Sequence, residues 1–519
     1  MVDVLVIGAG LAGISAAIGA KESGKSVLVV SKALPTSSQS VMAQGGMNIA
    51  LGNIDDDSVN LHISDTLKAA KDLASEEMIE RMCKGGVEVA KFLEEIGVPF
   101  SRIEGANEPI KSIAQRKLGG ASRVRACYAQ DYTGLKLLHT LYDYALKIGV
   151  EFKSDLYLLD LVSLNGEVGG AYFLDSNSQV VKIDAKATIL ATGGYGGIYY
   201  NYTTNMHSTT GDGIACAIRA GGAISGAEFV QFHPTALKSS CVLISESARG
   251  EGGYLVNSDG ERFVDELKPR DEVARAIFHE INSGKEVFLD LRHIDSKKIL
   301  SLLPQEAELC KFYEGVDITK ELVPIKSVAH YSMGGIAVNR DFFVEGLNRC
   351  LAVGECSNAR VHGANRLGGN SLLEVIVFGL EAGKIASRID GDRIDNDIDF
   401  KLPFNGDSIN IYSLKERLGE LMFKKAGIVR EKSDLEELLN ELNEMINIVN
   451  SGAIRDRSTN YNQELIEYLE LKNSLLIAKA VALGALKRQE SRGAHFRRDF
   501  PNMDDNFSKD IKISFEDLQ

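Results

Sequence analysis

The chain predicts an α/β fold: a Rossmann-like nucleotide-binding domain with a long insertion, followed by a helical region. Three observations predict it. Residues 2–20, VDVLVIGAGLAGISAAIGA, join an apolar, β-branched run to Gly8, Gly10 and Gly13 in G-x-G-x-x-G spacing, and then to an Ala-rich helix. Residues 187–197, ATILATGGYGG, run a second buried strand into glycines far downstream. From residue 433 onward apolar residues recur at helical spacing.

In the first stretch, Gly8 permits a tight turn and Gly10 lets backbone approach a pyrophosphate. Gly13 lets the helix pack closely on the strand. Ala9, Leu11 and Ala12 complete the loop, and free N–H groups at the helix start favour phosphate charge. The second strand, 26–30, ends in Ser31-Lys32, with no acid to read a ribose. That argues against NAD and leaves FAD open, with Ser31 or backbone groups beside Lys32 at the adenosine end.

Residues 36–53, TSSQSVMAQGGMNIALGN, are small, polar and glycine-rich. Such a segment, with Ser38, Gln39, Ser40, Gln44, Gly45 and Gly46, can wrap a flat aromatic ligand. Amphipathic helices are predicted over 57–73 and 76–96, the second stopped by Gly97-Val98-Pro99. A helix over 131–148 and a strand over 150–152 follow. The later strand brings Thr192 and Gly193 to the nucleotide, and 209–213, TTGDG, opens a helix whose Asp212 either caps it or holds a ribose.

Between 228 and 330 polar chemistry concentrates in EFVQFHPT (228–235), SESARGEGGY (245–254), RDEVARA (270–276) and PIKSVAHYSMGG (324–335). Taken singly, each arginine also fits a surface ion pair. Residues 354–374, GECSNARVHGANRLGGNSLLE, offer Glu355 and a helix starting at Asn370-Ser371-Leu372. That helix N-terminus suits a flavin's carbonyl oxygens. Residues 391–410 read as a linker. Residues 433–436 form a capping-box pattern, and Leu435, Leu438, Leu439, Leu442, Met445, Ile446 and Val449 make one apolar stripe, read as bundle core. A second long helix is predicted over 462–487, and RQESRGAHFRRDFP (488–501) reads as a basic, loop-like tail. No internal repeat is found.

The 519 residues leave room for two to four domains, and 44% hydrophobic with 25% charged residues is a globular composition. A net charge of −14 excludes nucleic acid as the main partner. No apolar run approaches the roughly 18–20 residues of a membrane span, and the apolar start is already the first strand, not a leader. Cys83, Cys127, Cys216, Cys241, Cys310, Cys350 and Cys356 are scattered, without C-x-x-C. No zinc or iron–sulfur site is expected, and a reducing compartment, by default the cytoplasm, is.

With these stretches in hand, the chain resembles the flavoprotein subunits of the succinate dehydrogenase/fumarate reductase family, with L-aspartate oxidase a near relative. GAGLAG, SKALPTSSQSVMAQGGMNIALGN, FVQFHPT, RGEGGY, RDEVARA, HYSMGG, VHGANRLGGNSLLE and ESRGAHFRRDFP carry the likeness, in family order, over nearly the whole length. It implies a Rossmann-like FAD-binding domain (1–226 and 329–390), an inserted α+β capping domain (227–328), a C-terminal helical domain (404–487) and a tail (488–519). It implies FAD as cofactor and a small dicarboxylate as substrate.

Carried over by motif, Arg275 is the expected proton donor, reprotonated by Glu246, with Arg249 beside them. Ser245, His233, His330 and Arg366 are the expected dicarboxylate clamp, Arg366 through its bidentate fork.

Two departures refine the reading. Where membrane-bound members carry R-S-H-T with a flavin-bearing histidine, this chain has Ser37, Ser38, Gln39 and Ser40. Its FAD is therefore expected to be non-covalent, and fumarate reduction is expected over succinate oxidation. Aspartate oxidases have a glutamate before the Gly-Gly of the early substrate loop; here Leu118 precedes Gly119-Gly120, which disfavours a substrate ammonium.

The expected enzyme interconverts fumarate and succinate. It would work with a separate iron–sulfur subunit, with room for a membrane-anchor subunit that would hold it peripherally on the cytoplasmic membrane. L-aspartate oxidase and a non-catalytic FAD-binding assembly subunit are the alternatives.

Overall fold

The computed structural model describes every residue except 397. The strand Val2–Ile7 lies at the centre of a seven-stranded sheet. It pairs in parallel with Val27–Val30 on one side and with Val180–Leu190 on the other, Ile7 facing both Val30 and Leu190. Glu151–Lys153 extends the first edge, and Cys350–Ala352 adds a further parallel strand against Val180–Leu190. The other half of Val180–Leu190 runs into an antiparallel meander with Glu167–Leu174 and Tyr157–Leu164. Val4 to Ile7 and Val27 to Val30 are all buried, as continuous apolar runs in a covered parallel sheet must be.

The helix Leu11–Glu22 is buried on every side from Leu11 to Ala20, which explains its alanine content. It crosses the helix Asn370–Ala386 at backbone contact. A Cβ at Gly383 would stand 2.0 Å from the Ala16 carbonyl oxygen, so glycine sets that crossing. The helices Val59–Ala70 and Glu76–Glu95 are capped by the Ser58 and Ser75 hydroxyls.

A separate antiparallel sheet, ordered Val230–Leu237, Val323–Ser332, Val287–Asp290, Tyr254–Asn257, has its own core of Leu237, Ile244, Leu255, Ile277, Leu289 and Ile325. Register shifts flank Phe232 and His233; such bulges re-aim side chains. The helix Arg270–Asn282 covers this sheet.

The C-terminal helices are Ile411–Lys425, Lys432–Ser451 and Gln463–Lys487. Leu435, Leu438, Leu442, Met445 and Val449 are buried as one stripe. The expected capping box is not used, because the helix starts at Lys432 and residue Glu431 precedes it without a side-chain cap. The linker reading over 391–410 includes residue 397, outside the described residues; around it the chain forms only the short strand Asp407–Ser408. The stretch after 487 is not a solvated tail. Arg488, Arg492 and Arg497 are almost fully buried. Glu228 and Glu490 hold Arg488, Glu490 holds Arg492, and Asp499 holds Arg497, which is what makes burial of these cations tolerable. Lys512–Ser514 then pairs with Ala223–Ser225.

Candidate active site

A single long cleft runs from the first strand to the separate sheet, and the glycine motif forms one wall. Gly8 has φ +110°, and a Cβ there would lie 2.1 Å from the Ala191 carbonyl oxygen. A Cβ at Gly13 would lie 1.9 Å from the Gly8 carbonyl oxygen, so Gly13 serves packing and does not itself line the cleft. Gly8, Ala9, Gly10, Leu11 and Ala12 line it, with Leu11 N donating to the Ser40 hydroxyl. Ser38, Gln39, Gln44, Gly45, Gly46, Thr192, Gly193, Ser371 and Leu372 complete this part. The Ser38 and Thr192 hydroxyls are buried without a partner among the described residues. Unpaired buried hydroxyls facing a helix N-terminus and a bare backbone turn fit a phosphate-bearing, hydroxyl-rich cofactor such as FAD.

Asn370 does not face the cleft. Its side-chain oxygen accepts from Asn48 and meets His62 Nε2 at 2.9 Å, while its amide donates to Thr66. It braces the helix start from behind. Glu355 lines the cleft and accepts from Ser332 N. Burial pushes its carboxyl up to about 7, against that hydrogen bond.

Beyond the second strand Ser31 and Lys32 both line the cleft, and the Lys32 ammonium contacts the Ser208 carbonyl at 2.5 Å, Asp212 at 2.7 Å and Glu470 at 2.8 Å. Burial disfavours the ammonium, but the two carboxylates outweigh it and raise its pKa. Asp212 is not a cap. Gly211 precedes the helix, and the carboxylate of Asp212 takes Lys32, Tyr157, Thr210 and Asn473. Glu470 and Asn473 come from the helix Gln463–Lys487, more than 400 residues away from Lys32. No local motif marks them; the helix looks like plain bundle.

At the other end of the cleft stand His233, Ser245, Glu246, His330, Arg366 and Leu118. The His233 and His330 rings lie 4.8 Å apart on neighbouring strands. His233 Nδ1 is engaged by Thr235 and His330 Nδ1 by Thr204, which leaves each Nε2 for a ligand. Burial, then the other imidazole and Arg270 for His233, and burial, then Arg270 and Arg366 for His330, hold both well below the usual imidazole range. Both are neutral at pH 7. Arg366 is buried, its Nε has no protein partner, and burial together with Arg270 brings it down to about 10. Ser245 Oγ sits 2.5 Å from Ser247 Oγ. Leu118 is buried against this group, with no acid in its place.

Glu246 is the electrostatic centre. Its carboxylate accepts from Gly119 N at 2.8 Å and from Arg270 Nε at 2.9 Å and Nη2 at 2.5 Å, and Arg249 Nη2 approaches to 3.8 Å. Burial alone would raise the Glu246 carboxyl, but Arg270 and Arg249 outweigh it and hold it below the usual range. Gly119 and Arg249 stand behind the lining; Arg249 is fully buried, and burial and Arg270 lower its pKa.

The arginine expected to face the site does not. Arg275 turns away, donating to the Gly493 carbonyl and to Asp271. Arg270, five residues earlier on the same helix, lines the cleft instead. Five residues is about 140° of helical rotation, so the two cannot share a face. Gln231, which sequence reasoning passed over, accepts from both Arg270 Nη1 at 3.0 Å and Arg366 Nη2 at 3.2 Å. The FVQFHPT period-two alternation puts it on the His233 face, which was the available signal.

Among the described residues no helix is long and apolar enough to cross a membrane, and no group of three or more His, Cys, Asp or Glu converges as a metal site.

Comparison with known proteins agrees with this fold. An FAD-binding-domain family matches residues 3–372, and the fumarate reductase flavoprotein C-terminal family matches 415–517. The succinate dehydrogenase flavoprotein subunit of Rickettsia bellii is 39% identical, over 97% of this chain and 91% of that protein. The 8-methylmenaquinol:fumarate reductase flavoprotein subunit of Wolinella succinogenes is 38% identical, over 99% and 88%. Among solved structures, FrdA of an E. coli quinol fumarate reductase superposes with a TM-score of 0.91 at 32% identity, covering 99% of this chain and 94% of that one. With its FAD-binding fold, its cleft and these relatives, the chain belongs to the FAD-dependent succinate dehydrogenase/fumarate reductase flavoprotein subunits.

Proposed function

We propose that this subunit reduces fumarate to succinate, and that Arg270 delivers the proton. The observation that carries the reading is the Arg270–Glu246 contact inside a cleft that also presents His233, His330, Ser245 and Arg366. Arg366 meets one carboxylate of the dianion through its guanidinium fork, and the neutral imidazoles and Ser245 hydrogen-bond the other. Bound FAD supplies the hydride. Charge that develops on the neighbouring substrate carbon is then met by a guanidinium N–H of Arg270. Arginine ordinarily keeps its proton, so it must be reprotonated at once: Glu246, ionised at rest, passes on a proton that it takes from Arg249, whose Nη2 stands 3.8 Å away.

Gln39 supports a non-covalent FAD. It stands where the histidine of covalent members falls, its Oε1 accepts from Met206 N at 2.9 Å, and an amide offers no nucleophile for a flavin bond. Without that bond's help in raising flavin potential, reduction of fumarate is the favoured direction. Leu118 speaks against aspartate, whose ammonium would be buried unpaired. Electrons must reach the flavin from outside this chain, and a separate iron–sulfur subunit, with any membrane attachment made through partners, fits both the family and the lack of clusters among the described residues.

The test is anaerobic turnover of the FAD-loaded chain with reduced benzyl viologen and fumarate, with L-aspartate offered in parallel to the oxidised flavin. Viologen oxidation without bleaching by aspartate, and a flavin released by acid precipitation, are expected. Bleaching by aspartate would assign the chain to the oxidase branch, and a flavin that stays with the precipitate would refute the Gln39 argument.

A further inference from the structure

Arg366 is a buried cation with an unusual set of partners. It is 4% exposed; among the described residues its Nε has no partner and its side chain hydrogen-bonds only Gln231. No carboxylate forms an ion pair with it among the described residues; Arg270 stands close enough to repel it, and Glu355 and Glu246 attract it only from beyond ion-pair distance. What lies against it is the face of Tyr331, with the guanidinium carbon 4.0 Å from the ring centroid. The far edge of that ring is fixed as well. The Tyr331 hydroxyl donates to Glu374 at 3.2 Å and lies 3.3 Å from His362 Nε2, which itself meets Glu374 at 2.8 Å. Tyr331, His362 and Glu374 are all buried. A phenol that donates to a carboxylate gains electron density in its ring, and an electron-rich face attracts a cation more strongly. Burial and Glu374 also keep the phenol protonated, so it remains the donor.

We propose that Tyr331 is the positioning residue for Arg366: its ring face, made electron-rich through Glu374, holds the guanidinium plane in the orientation that receives a dicarboxylate. The inference rests on Arg366 meeting the substrate, as argued above. It explains how a cation sits in the cleft without a protein carboxylate that would compete with the ligand. An aspartate or glutamate against Arg366 would neutralise it and block the site. The ring, with Glu355 and Glu246 at longer range, offsets the charge and leaves Nε open to a ligand.

The test uses FAD-loaded protein and reads affinity for succinate and malonate from flavin absorbance, beside KM and kcat for fumarate. Tyr331→Phe keeps the face and loses the donation, and about a twofold loss of affinity is expected. Replacing position 331 with 3,4,5-trifluorophenylalanine keeps the shape but empties the face; a further loss of about fivefold is expected, with KM rising more than kcat falls. Tyr331→Leu removes the ring and should weaken binding by about tenfold or more. FAD content should be equal throughout. The fluorinated variant is nearly isosteric with Tyr331→Phe, so it separates electrostatics from packing even if Tyr331→Leu folds poorly. Equal affinities for the Phe and trifluoro variants would overturn the proposal. If the wild-type protein binds neither succinate nor malonate, the dicarboxylate reading fails, and this proposal with it. If it binds them and the series is flat, only the role of Tyr331 falls.

Discussion

The two ends of the cleft are built on different physics. The nucleotide cradle around Gly8 and Gly10 works with backbone: bare turns, a helix N-terminus and a few hydroxyls. The other end works with buried charge: Glu246, Arg249, Arg270 and Arg366 within one desolvated group. Backbone devices are cheap to bury because most of their polar groups are paired in secondary structure. Buried charges are costly unless each has its partner, and losing one partner strands the other. The cradle should therefore respond to mutation through fit and cofactor retention. The charged end should respond through turnover, steeply and one residue at a time.

The largest expected effect is at the charged end. Arg270→Ala should lower kcat by about 10³- to 10⁴-fold, the upper range of a lost proton donor, with FAD content unchanged. Stopped-flow or steady-state viologen oxidation at matched flavin concentration reads it. A loss of less than tenfold would mean that the proton comes from elsewhere.

Lys32 tests where the contrast breaks down, because the cleft beside the cradle contains a charged knot of its own. Lys32→Met strands Asp212 and Glu470, both nearly fully buried, and should cost about 3–5 kcal/mol of stability along with weaker FAD retention. Thermal unfolding with and without added FAD measures both. An unchanged melting temperature would mean that Lys415, 3.6 Å from Glu470, takes over the compensation.

His62 tests the cradle from behind. Burial, against its bond to Asn370, brings its pKa from 6.5 down to about 4. A histidine held neutral in the fold binds its proton first in the unfolded chain, so its contribution is intact above pH 6.5 and is lost as pH falls toward 4. By pH 5 that loss is about 2 kcal/mol. His233 and His330 add losses of the same sign. Urea unfolding at pH 7.5 and pH 5 should therefore show a smaller pH penalty for His62→Gln than for wild type. Parallel penalties would contradict the buried neutral imidazole.

The same contrast explains what could be read in the sequence. The cradle was legible because its physics is local: a strand, three glycines at fixed spacing and a helix lie within residues 2–20. The helical stripe from Leu435 to Val449 was legible by periodicity. Glu470 and Asn473 were not, since nothing near them in sequence says that their helix reaches Lys32 and Asp212. Asn370 was placed in the right helix turn but on the wrong side of it, because which way an asparagine faces depends on Asn48, His62 and Thr66, three distant partners. The motif 270–276 was found, but the choice between its two arginines is a matter of helix phase against a sheet that the sequence does not show.

That choice gives the smallest and most discriminating effect. Arg275 is partly exposed. It pairs with Asp271 at 2.8 Å one turn earlier, donates to the Gly493 carbonyl at 3.0 Å and lies 5.5 Å from the Phe496 ring. It pins the helix Arg270–Asn282 to the C-terminal stretch. Asp271 uses its second oxygen to hold Asn365, which holds Gln231 in turn. Arg275→Ala takes the cation from a carboxylate oxygen of Asp271, whose side chain is 3% exposed, and strands one carbonyl, so a loss of about 2 kcal/mol in stability is expected. Because Asn365 still fixes Asp271, kcat should stay within about threefold of wild type, against the thousandfold or more for Arg270→Ala. Measured side by side, the two variants separate a structural tie from a proton donor on one helix. A collapse of kcat in Arg275→Ala with FAD and folding intact would return the proton to Arg275 and make the observed side-chain arrangement a resting state of the cleft.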